Sequence, residues 1–197
     1  MGMNILLYGV DTGLVQAWRE RLAFFPELQG VCHITYGDIR QAKTDAVVSP
    51  ANSFGFMDGG IDGLYSQFLG WGVQERLQER IKAMPMRELP VGCALVVPTE
   101  HPLIPWLVSA PTMRLPCVLT DATPAYLASK SAAIAAKEHG IKTLAFPGMG
   151  TGTGRLQFIY AADAMLKGIR DALFPRSFPE SLAEAYSHLR FVAKKSG

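Results

Sequence analysis

The chain is short of the features that most directly announce a membrane, a secreted scaffold or a polyanionic partner. No stretch of its 197 residues approaches the ~18 consecutive apolar positions that a membrane-spanning helix needs. The N-terminal residues show no basic segment followed by an apolar signal core, so a cytoplasmic location is expected. Cysteine is scarce, and Cys32, Cys93 and Cys117 are odd in number and widely spaced, which argues against a disulfide framework and for core thiols. His33, His101, His139 and His188 have neither an i, i+4 spacing nor a Cys-x-x-Cys companion, so neither a metal nor another resident cofactor is expected. With 19 Lys and Arg against 17 Asp and Glu, the net charge of +2 makes no electrostatic case for nucleic acid or an anionic membrane. Repeats and low-complexity tracts are missing too.

What remains is a folded globular composition, 49% apolar and 18% charged. The length suits one domain over residues 1–197, with 175–197 as a C-terminal helical extension. In that extension Phe178, Leu182, Ala185, Tyr186 and Leu189 lie near helical spacing and predict a core-packing face. Oligomeric state has no signature in the sequence.

Strand and helix patterns alternate along the chain. Strands are predicted at Asn4 to Gly9, Val31 to Tyr36, Asp45 to Ser49, Cys93 to Val97, Ile104 to Ala110 and Thr143 to Phe146, with Pro105 marking an edge or a strand start. Helices are predicted at Leu14 to Phe25, Ile61 to about Met84 with Gly70 and Gly72 weakening its middle, Thr123 to Glu138, and Leu156 to Leu173. The alternation predicts an α/β fold, a three-layer α/β/α sandwich around a central mixed, mostly parallel sheet. Ligands in such folds sit beyond the C-terminal ends of the strands.

Two glycine-rich loops fall at such ends. The first runs from Pro50 to Gly60, after a buried strand and before a helix. Glycine lets backbone approach a ligand, and the open N–H groups of a helix start face an anion. The plainer alternative is a turn at Gly59-Gly60, with Asp62 offsetting the helix dipole and Asn52 bonding its own neighbouring backbone. The second loop, Pro147 to Arg155, carries four glycines and two threonines and can form an anion-binding nest. It lacks the Gly-Lys-Ser/Thr of a nucleoside-triphosphate loop and the last glycine of the dinucleotide pattern. Neither loop contains lysine, so backbone N–H groups, helix dipoles and Arg155 are the candidate partners of a clasped pyrophosphate.

Taken from Asp45 through Ser49-Pro50-Ala51-Asn52 to Gly59-Gly60-Ile61-Asp62-Gly63, the first loop resembles the signature of macro domains. Gly37-Asp38-Ile39, Val108 to Thr112 and the Phe146-Pro147 strand end also resemble macro-domain segments, so the likeness spans about residues 30 to 172. It differs in having Ser49-Pro50 where such loops often begin Asn-Ala, Asp58 in place of a further glycine, and Gly154-Arg155 where an aromatic residue is usual.

The resemblance implies a ligand, ADP-ribose. Asp38 would bond the adenine amine and Ile39 would supply backbone contacts. Asn52 would meet the distal ribose, and Gly59, Gly60 and Ile61 would approach the diphosphate. Gly150, Thr151, Gly152, Thr153 and Gly154 would close over it. Asp62 matches the acidic residue that hydrolytic members use near the scissile bond, so Asp62 and Asn52 are the candidate catalytic pair, and an ordinary carboxylate pKa would leave Asp62 charged near neutral pH. The expected partner is ADP-ribose or an ADP-ribosylated macromolecule, bound or also hydrolysed at an ADP-ribosyl linkage or at ADP-ribose-1″-phosphate. The alternatives are a non-catalytic binding module, or a structural protein with an idle cleft.

Overall fold

A computed structural model describes residues 2–188. Six strands form one sheet: β1 (Asn4–Gly9), β2 (Cys32–Tyr36), β3 (Ala46–Ser49), β4 (Leu95–Pro98), β5 (Trp106–Ser109) and β6 (Thr143–Phe146). Their order is β2-β1-β6-β3-β5-β4, every pairing being parallel except that of β4 with β5. Pro98 ends the edge strand β4, and Pro105 stands just before β5, positions where a missing backbone donor breaks no central ladder.

Side-chain alternation divides the core between two faces. Val48, Val108, Leu144 and Phe146 face α1 (Thr12–Leu22), α4 (Thr123–Glu138) and α5 (Phe158–Leu173). Val47, Leu107 and Ala145 face α2 (Gly60–Leu69) and α3 (Gly72–Lys82). Every residue of β3 is buried, as expected of a parallel strand covered on both sides. The fold is the α/β/α sandwich that the alternating pattern predicts.

The helix predicted over 61 to 84 is two helices. Gly70 takes φ 91°, outside the helical region, and turns the chain between α2 and α3, so the glycines separate two helices instead of weakening one. Alanines 125, 128, 132, 133 and 136 bury the inner face of α4, and Gly168 of α5 packs against the Tyr126 carbonyl there. The expectation of core thiols holds only for Cys32, whose thiol burial pushes up to about 12, while Cys93 and Cys117 are exposed. The C-terminal face is also corrected: in and before α6 (Leu182–His188), Phe178, Leu182 and Tyr186 are exposed, and Leu189 lies outside the described residues. Among the described residues no helix is long and apolar enough to cross a membrane.

Candidate functional site

The parallel strands end together, and the segments that follow them enclose a cleft of about 580 Å3. Val10 and Asp11 follow β1, Gly37 to Arg40 follow β2, Pro50 to Asn52 follow β3, and Pro147, Gly148 and Gly150 to Gly154 follow β6 along its wall. That volume falls within the roughly 300–1,000 Å3 of small-molecule pockets. Asp38, Ile39, Asn52, Gly59, Gly60, Ile61, Asp62, Gly150, Thr151, Gly152, Thr153 and Gly154 all line it. Arg155 does not: it is exposed, with φ 52°.

Both loops present unengaged backbone donors. Gly59 caps α2 without a side-chain bond, so the N–H groups of Gly60, Ile61 and Asp62 in the first turn have no helical acceptor. Gly63 is the first to be satisfied, by Gly59 O at 3.0 Å. Across the cleft, the late loop closes on itself through Arg155 N to Gly152 O and Leu156 N to Gly150 O, both 3.0 Å. Among the described residues no acceptor takes the N–H groups of Thr151, Gly152 or Thr153. The glycines here are steric requirements: at Gly154 a Cβ would stand 2.5 Å from Gly150 O, and Gly150 takes φ 76°.

Asn52 is committed to its own loop. Its Oδ1 accepts from the N–H of Phe54 at 3.1 Å and of Phe56 at 3.3 Å, and its Nδ2 donates to Phe56 O at 2.9 Å. That is the local turn role asparagine often fills. The loop is fastened further by Met57 N to Gln74 Oε1 at 2.6 Å and Ser66 Oγ to Met57 O at 2.8 Å. Asn52→Ala is accordingly expected to lower unfolding free energy by about 1–3 kcal/mol, because buried loop groups lose their partners. Urea denaturation checks this, and unchanged stability would restrict Asn52 to ligand contact.

Asp62 differs from the sequence expectation of an ordinary carboxylate. It is buried at the floor of the cleft, and burial pushes its pKa up to about 7, opposed by the hydrogen bond that Ser49 Oγ donates to its Oδ1 at 2.5 Å. Removal from water disfavours the charged form, and one hydroxyl does not compensate. Beneath it, the Tyr65 hydroxyl donates to Val48 O at 3.2 Å, and burial, then the neighbouring carboxylates, raises the phenol well above its usual range. In the sequence Ser49 stands out only as a departure from the usual start of such loops, and nothing there shows that it reaches Asp62, thirteen residues on.

Also in the cleft, Asp38 holds Arg40. Its Oδ2 accepts from Arg40 Nε at 2.9 Å and Nη2 at 2.5 Å, and its Oδ1 from the Arg40 backbone N–H at 2.9 Å. The hydrogen bonds from Arg40 hold the Asp38 carboxyl below its ordinary range. Arg40 itself lines the cleft and supplies a cation that sequence reading passed over, since a lone arginine after a turn is unremarkable in composition. Asp58, also at the wall, is exposed beside the open N–H groups of α2.

Known proteins share parts of this sequence and this fold. A family model described as Macro domain matches residues 48–165. An uncharacterized protein of Aeropyrum pernix is 32% identical over 148 residues, which are 74% of this chain and 75% of that protein. Among solved structures, the macrodomain of Mycobacterium tuberculosis DarG is similar with a TM-score of 0.59 at 19% identity, covering 71% of this chain and 90% of that one. Thermosipho africanus DarTG in complex with ADP-ribose is similar with a TM-score of 0.55 at 20% identity, covering 73% of this chain and 38% of that one. At such identities the structural likeness shows a shared fold.

Proposed function

The chain belongs to the macro domain family, and from that premise we propose that its cleft binds ADP-ribose or an ADP-ribosyl group on a larger molecule. One observation carries the reading: two runs of open backbone N–H groups, at Gly60 to Asp62 and Thr151 to Thr153, line the same cleft. Main-chain donors and a helix N-terminus suit a diphosphate without lysine. Asp38 and Ile39 lie in the cleft at the end of β2, where an adenine would reach them. A structural likeness to a protein complexed with ADP-ribose supports the same ligand class.

Asn52 in this reading shapes the ribose end of the cleft by holding its loop, with ribose contact limited to the Nδ2 hydrogen that Phe56 O does not take. Hydrolysis is the finer proposal. A water attacks the anomeric carbon of the distal ribose, the bond to the leaving group breaks with its electron pair going to that group, and the leaving group takes a proton from solvent. Asp62, with a pKa near 7, accepts the proton of that water in its ionised form. Its burial keeps it close to the cleft floor and away from bulk solvent.

Calorimetry with ADP-ribose, using ATP and NAD as competitors, tests the binding. Saturable heat that the two competitors displace weakly is expected, and an absence of heat would remove the binding reading. Turnover is then measured on ADP-ribosylated protein, ADP-ribosylated DNA and ADP-ribose-1″-phosphate with the wild type and Asp62→Ala. Equal rates in both proteins would remove Asp62 from the chemistry, and no turnover by either would leave a binding module.

A further inference from the structure

A second cavity, of about 490 Å3, lies at the far end of the α1–α5 pair from the cleft. Leu14 and Phe158 line the cleft, whereas this cavity is lined by Arg21, about 10 Å further along α1, and by Lys167 and Arg170, about 14 and 18 Å further along α5. Two of the three cations have partners. Arg21 donates from Nε at 2.8 Å and Nη2 at 2.5 Å to Asp163 Oδ1, and Arg170 Nε lies 3.2 Å from Asp171 Oδ1.

Lys167 is different. It is 5% exposed, and among the described residues no ion pair or hydrogen bond takes its ammonium. Burial lowers its pKa, and the charges of Arg170 and Arg176 act in the same direction, against the carboxylates of Asp171 and Asp163. The Lys167 side chain packs among the helices while its ammonium reaches the cavity, where an anion would balance its charge. Arg176, exposed after α5, adds a second cation with no ion pair among the described residues, and Glu27 and Asp163 are the carboxylates of the same wall. The guanidinium of Arg21 lies over the exposed Phe24 ring, 4.4 Å from its centroid, leaving a flat apolar edge beside the cations.

We propose that this cavity is a second binding site, taking a phosphoryl group through Lys167 and Arg176 on a frame set by the Arg21–Asp163 and Arg170–Asp171 pairs. Arginine forks and a lysine point charge match phosphate oxygens, and the Phe24 edge suits a planar group attached to the phosphate. The site is separate from the cleft: among the described residues the two cavities share no lining residue.

The full chain carrying Gly59→Val, which fills the cleft wall, separates the two sites. Pyrophosphate is expected to bind this protein at one site, and adding Lys167→Met is expected to weaken it about tenfold or more, the scale of one lost charge-assisted bond. Glu27→Gln is expected to tighten it. An amine-reactive label read by peptide mass spectrometry gives a local readout: tenfold excess over half-saturation should slow labelling of Lys167 about tenfold and leave exposed Lys142 unchanged. AMP and a short single-stranded oligonucleotide, run beside pyrophosphate, distinguish a free nucleotide from a nucleic-acid backbone as the phosphoryl source. No binding of any of the three, or binding that Lys167→Met leaves intact, overturns the proposal whatever the cleft binds.

Discussion

Gly59→Val is expected to weaken ADP-ribose binding by roughly 100-fold, about 2.8 kcal/mol, with a loss of thermal stability of no more than a few degrees from the poorer helix cap. Gly59 has φ −135° and ψ 160°, extended backbone that any residue adopts, and a Cβ built there meets no protein atom within 4 Å. Valine, comfortable in extended backbone, therefore adds no strain to the fold. The space it takes is cleft, immediately before the open N–H groups of Gly60, Ile61 and Asp62. A diphosphate held by those groups must approach within hydrogen-bond distance, which branched methyls at Gly59 prevent. Gly60→Val would be a poorer test, because φ 57° at Gly60 makes a side chain cost about 1–2 kcal/mol before any ligand is considered. Calorimetry and a thermal melt on the same preparation decide the matter. A native melting temperature with undiminished affinity would remove the first loop from the binding site.

The second large effect is a pH dependence of stability centred on Asp62. Its folded-state pKa of about 7 lies above its ordinary 3.8, so the folded chain holds this proton more tightly than the unfolded chain does. Between those values the native state binds more protons, and unfolding free energy falls as pH rises. The contribution is complete below pH ~4 and lost above pH ~7, a span worth up to about 4 kcal/mol. Asp62→Asn keeps an acceptor for the Ser49 hydroxyl and removes the titration. Guanidinium denaturation at pH 5 and pH 8 should show the wild type losing far more stability than Asp62→Asn over that interval, with the variant the more stable at pH 8. Parallel losses in the two proteins would mean that Asp62 is hydrated and ordinary. The same titration sets the chemistry proposed for the site, since a carboxylate that is half protonated near neutrality is matched to proton transfer there.

Much of the fold can be read locally. The bounds of β1, α4 and β6 follow from their apolar runs and from the breakers beside them, including Pro124 at the start of α4 and Gly140 beyond its end. The predicted helix over 61 to 84 fails at Gly70 because apolar spacing continues across a residue whose backbone does not. The candidate site was legible as two glycine loops, but the state of its side chains was not. That Asn52 bonds Phe54 and Phe56, that Arg40 holds Asp38, and that Ser49 reaches Asp62 are matters of rotamer and distance. A pattern of residue types carries neither. Nor does it show that Asp62 is dry, because desolvation depends on what the rest of the chain places over it.

By itself, then, the order of residues determined that strands alternate with helices, that β3 is buried on both sides, and that glycines follow both β3 and β6. Propensity, periodicity and the absence of a Cβ act within a few residues of one another. Tertiary structure alone decided that β6, which arrives almost a hundred residues after β3, inserts between β1 and β3. That insertion sets Gly59 to Asp62 and Thr151 to Gly154 on one cleft. Pairing of this kind is chosen by the burial of whole sheet faces against helices, a sum over the entire chain that no local stretch contains.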